Sequence, residues 1–357
     1  MAHTVREQPD ESLSSRGGQE NHRRVTLQDV ARAAGVNVST ASDALKGTGR
    51  VAEATREKVR RIAAEHKYIP NMAARALVTG RTGMVAVVSG PLDQHYYADL
   101  VYLLETQLAV QSYRTLLLHS RQEVHDLITA TGSAAVDGVI AIDMYHIVDE
   151  FLRADNKVQP CVFIGTYSPP SVDHVTVDLS FAVEEALTVM LVQKRRRIAY
   201  LVDSEPMASR TEVRAGTYLS VVERARQKPE IINLLTESRL VRQQFREYIR
   251  THGCPDGLLC QNDETAIYAY RALLDMGYRV PEDVLLVGCD GLHYLEYFET
   301  PISTIVQPMK EICALAWQFL QKRIADPSLP IQKAKVGAHL IQRESLGALP
   351  PSRRRNQ

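Results

Sequence analysis

The sequence has few cysteines, and none of them stands in the paired spacing that a metal or redox site needs. Its five cysteines are scattered along 357 residues and form no C-x-x-C pair. An odd and scattered set of this kind argues against both a zinc site and a disulfide framework. We therefore expect packed thiols at Cys161, Cys254, Cys260, Cys289 and Cys313.

Long apolar runs are missing as well. No segment approaches the roughly 18 consecutive apolar residues that a membrane helix needs. The first 24 residues contain no apolar stretch of the kind that a signal peptide requires. We expect a protein that stays in the cytoplasm and does not enter a membrane.

The usual signatures of catalysis and of cofactor binding are not found in the sequence. The 11 histidines include no H-x-x-x-H on a predicted helix and no evident pairing with a nucleophile. Gly47-x-Gly49 has no strand before it and lacks the rest of a dinucleotide or phosphate-loop fingerprint, so it indicates a turn. An enzyme remains a competing class without a motif in its favour, and we expect no cofactor.

Charge is balanced over the whole chain but not along it. Lysines plus arginines number 42, and so do aspartates plus glutamates. Residues 21–81 nevertheless hold 12 basic against 5 acidic side chains, whereas residues 82–357 hold 28 against 33. A small basic module is typical of a phosphate-backbone binder, although a solvated basic surface would give the same count.

Residues 25–68 have apolar residues at helical spacing in three short stretches, which predict three helices. Thr26 can cap the first helix, and Gly35 ends it. Ser39 lies at the start of the second helix, and Pro70 stops continuation of the third. The basic module is therefore predicted to be a small all-α domain.

The first two of these helices are separated only by the tight turn Ala34-Gly35-Val36-Asn37. This is the spacing of a helix-turn-helix, in which the N-terminal part of the second helix enters the major groove of DNA. That part offers Val38, Ser39, Ser42 and Asp43 for contacts to bases. A purely structural helix pair is the alternative, and the basic setting favours DNA binding.

After Gly83, short and nearly continuous apolar runs alternate with amphipathic helical stretches, a pattern that predicts parallel sheets built from β-α-β units. The predicted strands are Met84–Val88, Thr115–Leu118, Val139–Ile142, Cys161–Ile164, Ile198–Val202, Gly257–Cys260 and Val284–Val287, with late strands at His174–Asp178, Thr304–Gln307 and Lys335–Ile341. So many strands exceed one comfortable sheet. We expect two lobes with a ligand cleft between them, and the late strands could cross from one lobe to the other.

An ordered series of motifs extends from about Val25 to Ser345. It includes Val25-Thr26-Leu27-x-Asp29-Val30-Ala31-x-x-Ala34-Gly35-Val36, Val51-x-x-x-Thr55-Arg56-x-x-Val59, Tyr68-x-Pro70-Asn71, Pro255-Asp256-Gly257, Asn262-Asp263 and Val287-Gly288-x-Asp290. Together these motifs resemble the LacI/GalR family of bacterial transcriptional regulators. The resemblance implies an α-helical head that binds DNA and an α/β body like a periplasmic binding protein.

The resemblance also implies that Asn71–Leu77 forms a hinge helix on the operator, with Leu77 levering open a base step in the minor groove. Packing of Leu77 on the body is the alternative. Asp43 stands where the family frequently has an arginine that reads guanine. The residues expected at the DNA interface are Thr26, Asn37, Val38, Ser39, Thr40, Ser42, Asp43, Lys46, Arg50, Thr55, Tyr68, Asn71, Ala74 and Leu77.

The body implied by the resemblance binds a small-molecule effector, such as a sugar, in its cleft. The residues expected there are Asp93, Tyr96, Tyr97, Arg210, Arg214, Asn262 and Asp290, although Tyr96 and Tyr97 could also be ordinary buried tyrosines. Two anchors depart from the family pattern. Val213 stands three residues before Gly216, where many sugar-responsive members have arginine, and Gly165 replaces the acid often found after the strand Cys161–Ile164.

The predicted organisation has five parts: a disordered arm at 1–22, the helix-turn-helix domain at 23–69, a hinge helix and linker at 70–82, the two-lobed effector and dimerisation domain at 83–345, and a flexible tail at 346–357. The tail lacks heptads, so we expect no tetramer zipper.

Two readings of function remain. A secreted sugar-binding protein would explain the body equally well, but neither the basic helix-turn-helix nor the missing signal peptide fits it. We therefore expect a homodimeric transcription factor, most simply a repressor, whose two heads bind a pseudo-palindromic site in double-stranded DNA.

Overall fold

The computed structural model describes residues 25–69, 80–119, 136–144, 160–167, 171–234 and 240–347. It separates the chain into two units, Met1–Gly80 and Arg81–Gln357. The division falls inside the predicted linker, residues 70–82. Each unit has a hydrophobic core of its own.

The described helices and strands follow the predicted alternation closely. The helices are α1 Leu27–Ala34, α2 Val38–Lys46, α3 Glu53–Glu65, α4 His95–Val110, α5 Ser180–Val192, α6 Glu205–Ala208, α7 Val213–Arg224, α8 Val241–His252, α9 Asp263–Asp275 and α10 Met309–Ala325. The strands are β1 Met84–Val88, β2 Arg114–Leu118, β3 Gly138–Ile142, β4 Cys161–Gly165, β5 Asp173–Asp178, β6 Ile198–Val202, β7 Ile231–Asn233, β8 Gly257–Cys260, β9 Leu285–Asp290, β10 Ser303–Val306, β11 Lys333–Gly337 and β12 His339–Ile341. Short 3-10 turns cover His293–Tyr297 and Glu344–Leu346.

The first unit is built from α1, α2 and α3 around a small core. Its buried side chains are mainly alanines and valines, with one isoleucine. Small side chains at a helix contact let the helix axes approach closely, which suits a domain too short to bury many large residues. The three predicted helices are confirmed. The buried members of this core are Val30, Ala31, Ala34, Ala41, Ala44, Val59, Ile62 and Ala63.

The second unit contains two six-stranded sheets. The first has the order β11-β5-β4-β3-β1-β2 and the second has the order β12-β10-β9-β8-β6-β7. Every pairing is parallel except that of β10 with β12, which is antiparallel. Strands such as β3, β4 and β6 are buried along their whole length, which is why they appear in the sequence as unbroken apolar runs. The predicted α/β body of two mostly parallel sheets is confirmed.

The prediction of one late strand over Lys335–Ile341 was wrong. The structure divides this segment into β11 and β12, which lie in different sheets and are separated only by Ala338. The chain therefore crosses between the lobes at this residue. An unbroken run of strand-forming residues does not reveal that its hydrogen-bonding partner changes, because the partner is set by tertiary structure. The short edge strand β7 was missed because three residues make a weak pattern.

The cysteines are free thiols, as predicted. Four of the five are buried, and Cys254 is half-buried. Within the described ranges, no group of three or more His, Cys, Asp or Glu side chains is arranged to hold a metal ion. The helices described for this chain include none that is both long enough and apolar enough to span a membrane.

A buried ion pair fastens α10 to the first sheet. The Arg323 guanidinium donates to both carboxylate oxygens of Asp173 at 3.0 and 2.8 Å, and Gln332 donates to the same carboxylate through its backbone and side-chain nitrogens. The Asp173 side chain is fully buried. Although burial by itself raises the pKa of Asp173, the hydrogen bonds from Arg323 and Gln332 hold this pKa below its ordinary value.

We expect Asp173→Asn to lower the free energy of unfolding of the body by on the order of 3 kcal/mol at neutral pH, since it leaves Arg323 buried without its charge partner. Because the pKa of Asp173 is depressed, its contribution is complete above the ordinary aspartate pKa and is lost as the pH falls below about 4. Urea unfolding from pH 7 to pH 3 measures the difference between wild type and variant, which should shrink at the acid end. Asp99→Asn changes an exposed acid and serves as the control; an equal loss in both variants would contradict the assignment.

Candidate functional site

The first unit fixes the start of α2 by a side-chain cap and leaves it exposed. Asn37 is the capping residue, and its Oδ1 accepts hydrogen bonds from the Thr40 backbone nitrogen at 2.7 Å and the Ser39 hydroxyl at 2.8 Å. Ser39 itself, at the second position of α2, is exposed, and Val38 is 42% exposed. A capped helix start of this kind has a defined direction and free backbone N–H groups that favour an anionic partner.

The helix before the turn is equally well defined. Thr26 and Asp29 form a reciprocal capping box at the start of α1. Gly35 has a φ of 67° and donates its N–H to the carbonyls of Ala31 and Arg32, which closes the helix and turns the chain. This left-handed conformation is readily available to glycine and explains why the turn has one. The α1–turn–α2 unit thus has the geometry of a helix-turn-helix.

Asp43 lies against the loop that follows α2. A Cβ built on Gly49 would lie 2.8 Å from Asp43 Oδ2, so only glycine leaves room for the carboxylate there. The backbone oxygen of Asp43 accepts from the Thr48 nitrogen and from Arg56. Asp43 is half-buried, and its carboxylate lies on the side of α2 that faces the Gly47–Gly49 loop.

The other residues predicted at the DNA interface divide by exposure. Exposed side chains belong to Thr26, Asn37, Val38, Ser39, Lys46 and Arg50, whereas Thr40, Ser42, Asp43, Thr55 and Tyr68 are half-buried. Tyr68 packs against the core of the three helices, and burial raises its pKa. Asn71, Ala74 and Leu77 lie outside the described residues.

The second unit contains a cleft of about 230 Å³ between its lobes. Its lining comes from residues at or just beyond the carboxyl ends of strands in both sheets, including Asp143 after β3 and Asp290 at the end of β9. Tyr96 and Tyr97 enter from the start of α4, and Asn262 enters from the start of α9. Ligand sites of parallel α/β sheets form at this end of the strands, because polar side chains there converge above a buried core.

Arg214 supplies the positive charge of the cleft floor. Its guanidinium donates to Glu212 Oε1 at 2.9 Å, to the Gln261 carbonyl at 2.6 Å and to Met207 Sδ at 3.2 Å. Arg214 is 9% exposed. Burial works to lower the pKa of Arg214, but the carboxylate of Glu212 and other neighbouring groups hold it well above the ordinary value. The cation is therefore retained in the buried site.

Asp143 stands beside Gly165 and replaces the acid that the sequence pattern lacks there. A Cβ built on Gly165 would lie 2.6 Å from Asp143 Oδ1. The carboxylate thus comes from the end of β3 instead of the end of the adjacent strand β4. Burial raises the pKa of Asp143 to about 6, a shift that Glu212 reinforces and that Arg214 and a hydrogen bond with Tyr96 oppose.

Asp290 is held in a strained backbone conformation. Its φ is 132°, a region that residues other than glycine rarely occupy. The buried carboxylate of Asp263 stabilises this bend by accepting hydrogen bonds from the backbone nitrogens of Gly291 and Leu292 at 2.8 and 2.7 Å. Burial and the nearby Asp263 raise the pKa of Asp290 well above its ordinary value. Strain retained next to a cleft is a recognised mark of a binding residue.

One edge of the cleft is closed by a contact between the lobes. His95, the first residue of α4, donates its backbone N–H to Glu264 Oε1 at 3.0 Å, and its ring Nδ1 lies 2.9 Å from the same oxygen. The His95 ring also packs edge-on against Tyr294, with 5.5 Å between ring centroids. Separation of the lobes would have to break both contacts.

Comparison with protein families identifies both units. Residues 26–71 match the family of bacterial regulatory proteins of the lacI type, and residues 189–346 match the periplasmic binding protein-like domain. The chain is therefore similar to LacI-family regulators in both of its units. It is a DNA-binding transcriptional regulator that responds to a ligand.

Relatives of this regulator match it over nearly their whole length. The sucrose operon repressor of Lactococcus lactis is 26% identical over 86% of this chain and 96% of its own. The transcriptional regulator CelR of Thermobifida fusca is 28% identical over 91% of this chain and 99% of its own.

Solved structures of LacI-family proteins share the fold. The lac repressor dimer bound to operator and the anti-inducer ONPF superposes with a TM-score of 0.76 at 21% identity, over 91% of this chain and 100% of that one. The complex of CelR with cellobiose has a TM-score of 0.63 at 26% identity, over 90% of this chain and 100% of that one.

The structure corrects the arginine register that the sequence suggested. Arg214 lines the cleft, whereas Arg210 is an exposed side chain that donates to Glu223 at 2.6 Å. Gly216 had served as the reference point for the register. A Cβ built there would lie 2.6 Å from the Arg210 carbonyl, so this glycine serves a local chain contact.

Of the other residues predicted at the effector site, Tyr96, Tyr97, Asn262 and Asp290 line the cleft, and Asp93 is exposed and does not. Asn262 also caps α9, since its Oδ1 accepts from the Thr265 backbone nitrogen at 2.8 Å.

The sequence analysis missed several polar residues of the cleft, three of which bear on its chemistry. Asp143 and Gln307 line it, and so does Glu264. Asp143 directly follows the predicted strand Val139–Ile142, and Gln307 ends the predicted strand Thr304–Gln307. The rule that ligands bind beyond the carboxyl ends of parallel strands could therefore have found both. No comparable signal in the sequence marks Glu264. Its place in the cleft depends on the contact with His95 of the first lobe.

We expect Asp43→Arg to change the preferred base at one symmetric position of each half-site, with a free-energy change of about 1–3 kcal/mol per base contact. The reason is that a carboxylate accepts from the cytosine amine, whereas arginine donates to the guanine acceptors. Selection of sites from random DNA with wild type and variant at the same salt concentration measures the change. Unchanged half-site preferences with a uniform gain in affinity would mean that Asp43 acts only through its charge.

Proposed function

We propose that this regulator is a homodimeric repressor that binds a pseudo-palindromic operator in the cytoplasm and changes its operator affinity when a small polyol occupies the cleft. The observation that carries the proposal is the capped α1–turn–α2 pair, whose second helix leaves Val38 and Ser39 exposed on a basic unit. A secreted binding protein has no use for such a unit. The protein acts by binding, and we assign it no catalysis.

On the DNA side, Val38, Ser39, Ser42 and Asp43 of α2 contact base edges in the major groove. Thr26, Asn37, Thr40, Lys46, Arg50, Thr55 and Tyr68 contact phosphates or support the residues that do, and Asn71, Ala74 and Leu77 act in the minor groove. Two heads are needed because each reads only a few base pairs, and a dimer places them on two half-sites. The lac repressor dimer bound to its operator supports this arrangement by likeness of fold.

On the effector side, Arg214 donates and the carboxylates of Asp143 and Asp290 accept, which suits the hydroxyl groups of a polyol. Tyr96 and Tyr97 supply aromatic faces, and their rings lie edge to face at 5.2 Å. The complex of CelR with cellobiose supports a sugar-like ligand, since CelR is similar to this chain over most of its length.

We expect Arg50→Ala to weaken operator binding and to reduce the slope of log affinity against log salt by about 0.9 for each phosphate contact removed. Arg61→Ala is the matched control, because Arg61 lies on α3 with an exposed side chain and an ion pair to Glu65. Fluorescence anisotropy with a selected operator at several salt concentrations measures both variants. Equal slopes for Arg50→Ala and wild type would exclude Arg50 from the phosphate contacts.

We expect Asp290→Ala to retain operator binding and to lose the effector response, since it removes a cleft carboxylate and leaves the head unchanged. A thermal-shift screen of sugars and nucleosides identifies the responding ligand, and operator binding is then titrated with it. Asp326→Asn is the control, because Asp326 lies away from the cleft. It follows α10 near the Asp173–Arg323 pair, at the amino-terminal end of β5. Loss of operator binding by an intact Asp290→Ala dimer would indicate a structural role instead.

A further inference from the structure

The cleft is lined by more acidic side chains than basic ones among the described residues. Four of its lining residues are acids, namely Asp143, Asp203, Glu264 and Asp290. The basic side chains in the described lining are Arg214 and His95. Arg214 is already ion-paired with Glu212, and His95 is already in contact with Glu264. Asp203 accepts from the Gln261 amide at 2.5 Å. The basic side chain that acts on both Asp143 and Asp290 is therefore Arg214, which already forms an ion pair with Glu212.

A hydrogen-bond acceptor beside these carboxylates is also unsatisfied. Gln307 is 5% exposed and lines the cleft, and its Nε2 donates to Asp290 Oδ1 at 3.0 Å. Its Oε1 is buried and has no hydrogen-bond partner among the described residues. Buried polar atoms in folded proteins nearly always have a partner, so an orphaned oxygen in a cleft points to a donor on a ligand.

The local fold holds Asp143 where it is. The backbone of Asp143 adopts a φ of 54°, and the absence of a side chain at Gly165 leaves the space that the carboxylate occupies. Its carboxylate faces Tyr96 from α4 and the Arg214–Glu212 pair of α7. The backbone of the first lobe thus fixes the position of the Asp143 carboxylate, which lies across the cleft from Asp290 of the second lobe.

We propose that the effector is a polyol that bears a primary amine, and that Asp143 and Asp290, with Gln307 Oε1, bind its ammonium group. This inference rests on the proposed function of the cleft as a polyol site and specifies its ligand. An ammonium group has three donors and a positive charge, whereas a hydroxyl offers one donor and no charge. In a site of low dielectric constant, only the charged group offsets the cost of keeping both carboxylates ionised.

The proposal has a consequence for pH. The groups that face Asp143 are Tyr96, Arg214, Glu212 and, across the cleft, Asp290. Burial raises the pKa of Asp143 to about 6, a shift that Glu212 reinforces and that Arg214 and Tyr96 oppose. Above this value the carboxylate is charged and attracts an ammonium ion. Affinity for the amine should therefore fall as the pH decreases from 7 to 5, whereas affinity for a neutral polyol should not follow this course.

The test is isothermal titration of the full-length protein at pH 7 with matched sugars. Glucosamine, galactosamine and mannosamine are compared with their N-acetyl derivatives and with the parent hexoses. We expect at least one amine to bind roughly tenfold to a hundredfold more tightly than its acetylated and neutral counterparts, as charge-assisted hydrogen bonds would give. Asp143→Asn should remove most of this preference, and Asp326→Asn should keep it.

Two outcomes overturn the inference, and they can be told apart. If a neutral hexose binds as tightly as its amine, or if Asp143→Asn leaves the preference unchanged, the cleft is a polyol site without an ammonium subsite. If no member of either set binds while operator binding is normal, the polyol function itself fails and the inference fails with it. Thermal unfolding of both variants shows that they are folded, so that a lost preference reports on the site.

Discussion

The chain passes between its two mostly parallel sheets three times, and this constraint brings the strand ends of both sheets to one cleft. It leaves the first sheet after β5, returns through α10 to form β11, and crosses again at Ala338 into β12. The carboxyl ends of parallel strands lie at the same edge of their sheet. The three crossings therefore keep these edges of the two sheets within one unit. Asp143 and Asp290 face the same cleft for this reason, although they are far apart in sequence.

Polar interactions then fix the geometry that the crossings permit. Asp263 holds the strained bend at Asp290, while Glu212 and the Gln261 carbonyl hold the Arg214 guanidinium. His95 and Glu264 join the lobes at one edge. Buried carboxylates are costly to a fold, and their concentration beside a cleft is more readily explained by binding than by stability.

The geometry of the first unit is fixed by different interactions. Its core is too small for large side chains to matter, so its geometry depends on local features such as the Thr26–Asp29 capping box, the left-handed Gly35 and the Asn37 cap. These features act within a few residues of one another. They orient α2 and leave its first turn exposed, which is the property that a reader of the major groove needs.

The sequence by itself determined the three helices of the head and the alternation of the body, because helical spacing, caps and buried strands are local patterns. Its ordered series of motifs carried the resemblance to the LacI/GalR family. That resemblance also pointed to Asp290, Asn262 and the two tyrosines, which line the cleft in the structure. Only the tertiary structure decided that Arg214 and not Arg210 enters the cleft, that Asp143 fills the space beside Gly165, and that Lys335–Ile341 is two strands in two sheets. Each of these depends on which distant segment packs against the residue, and no pattern within a short stretch of chain contains that information.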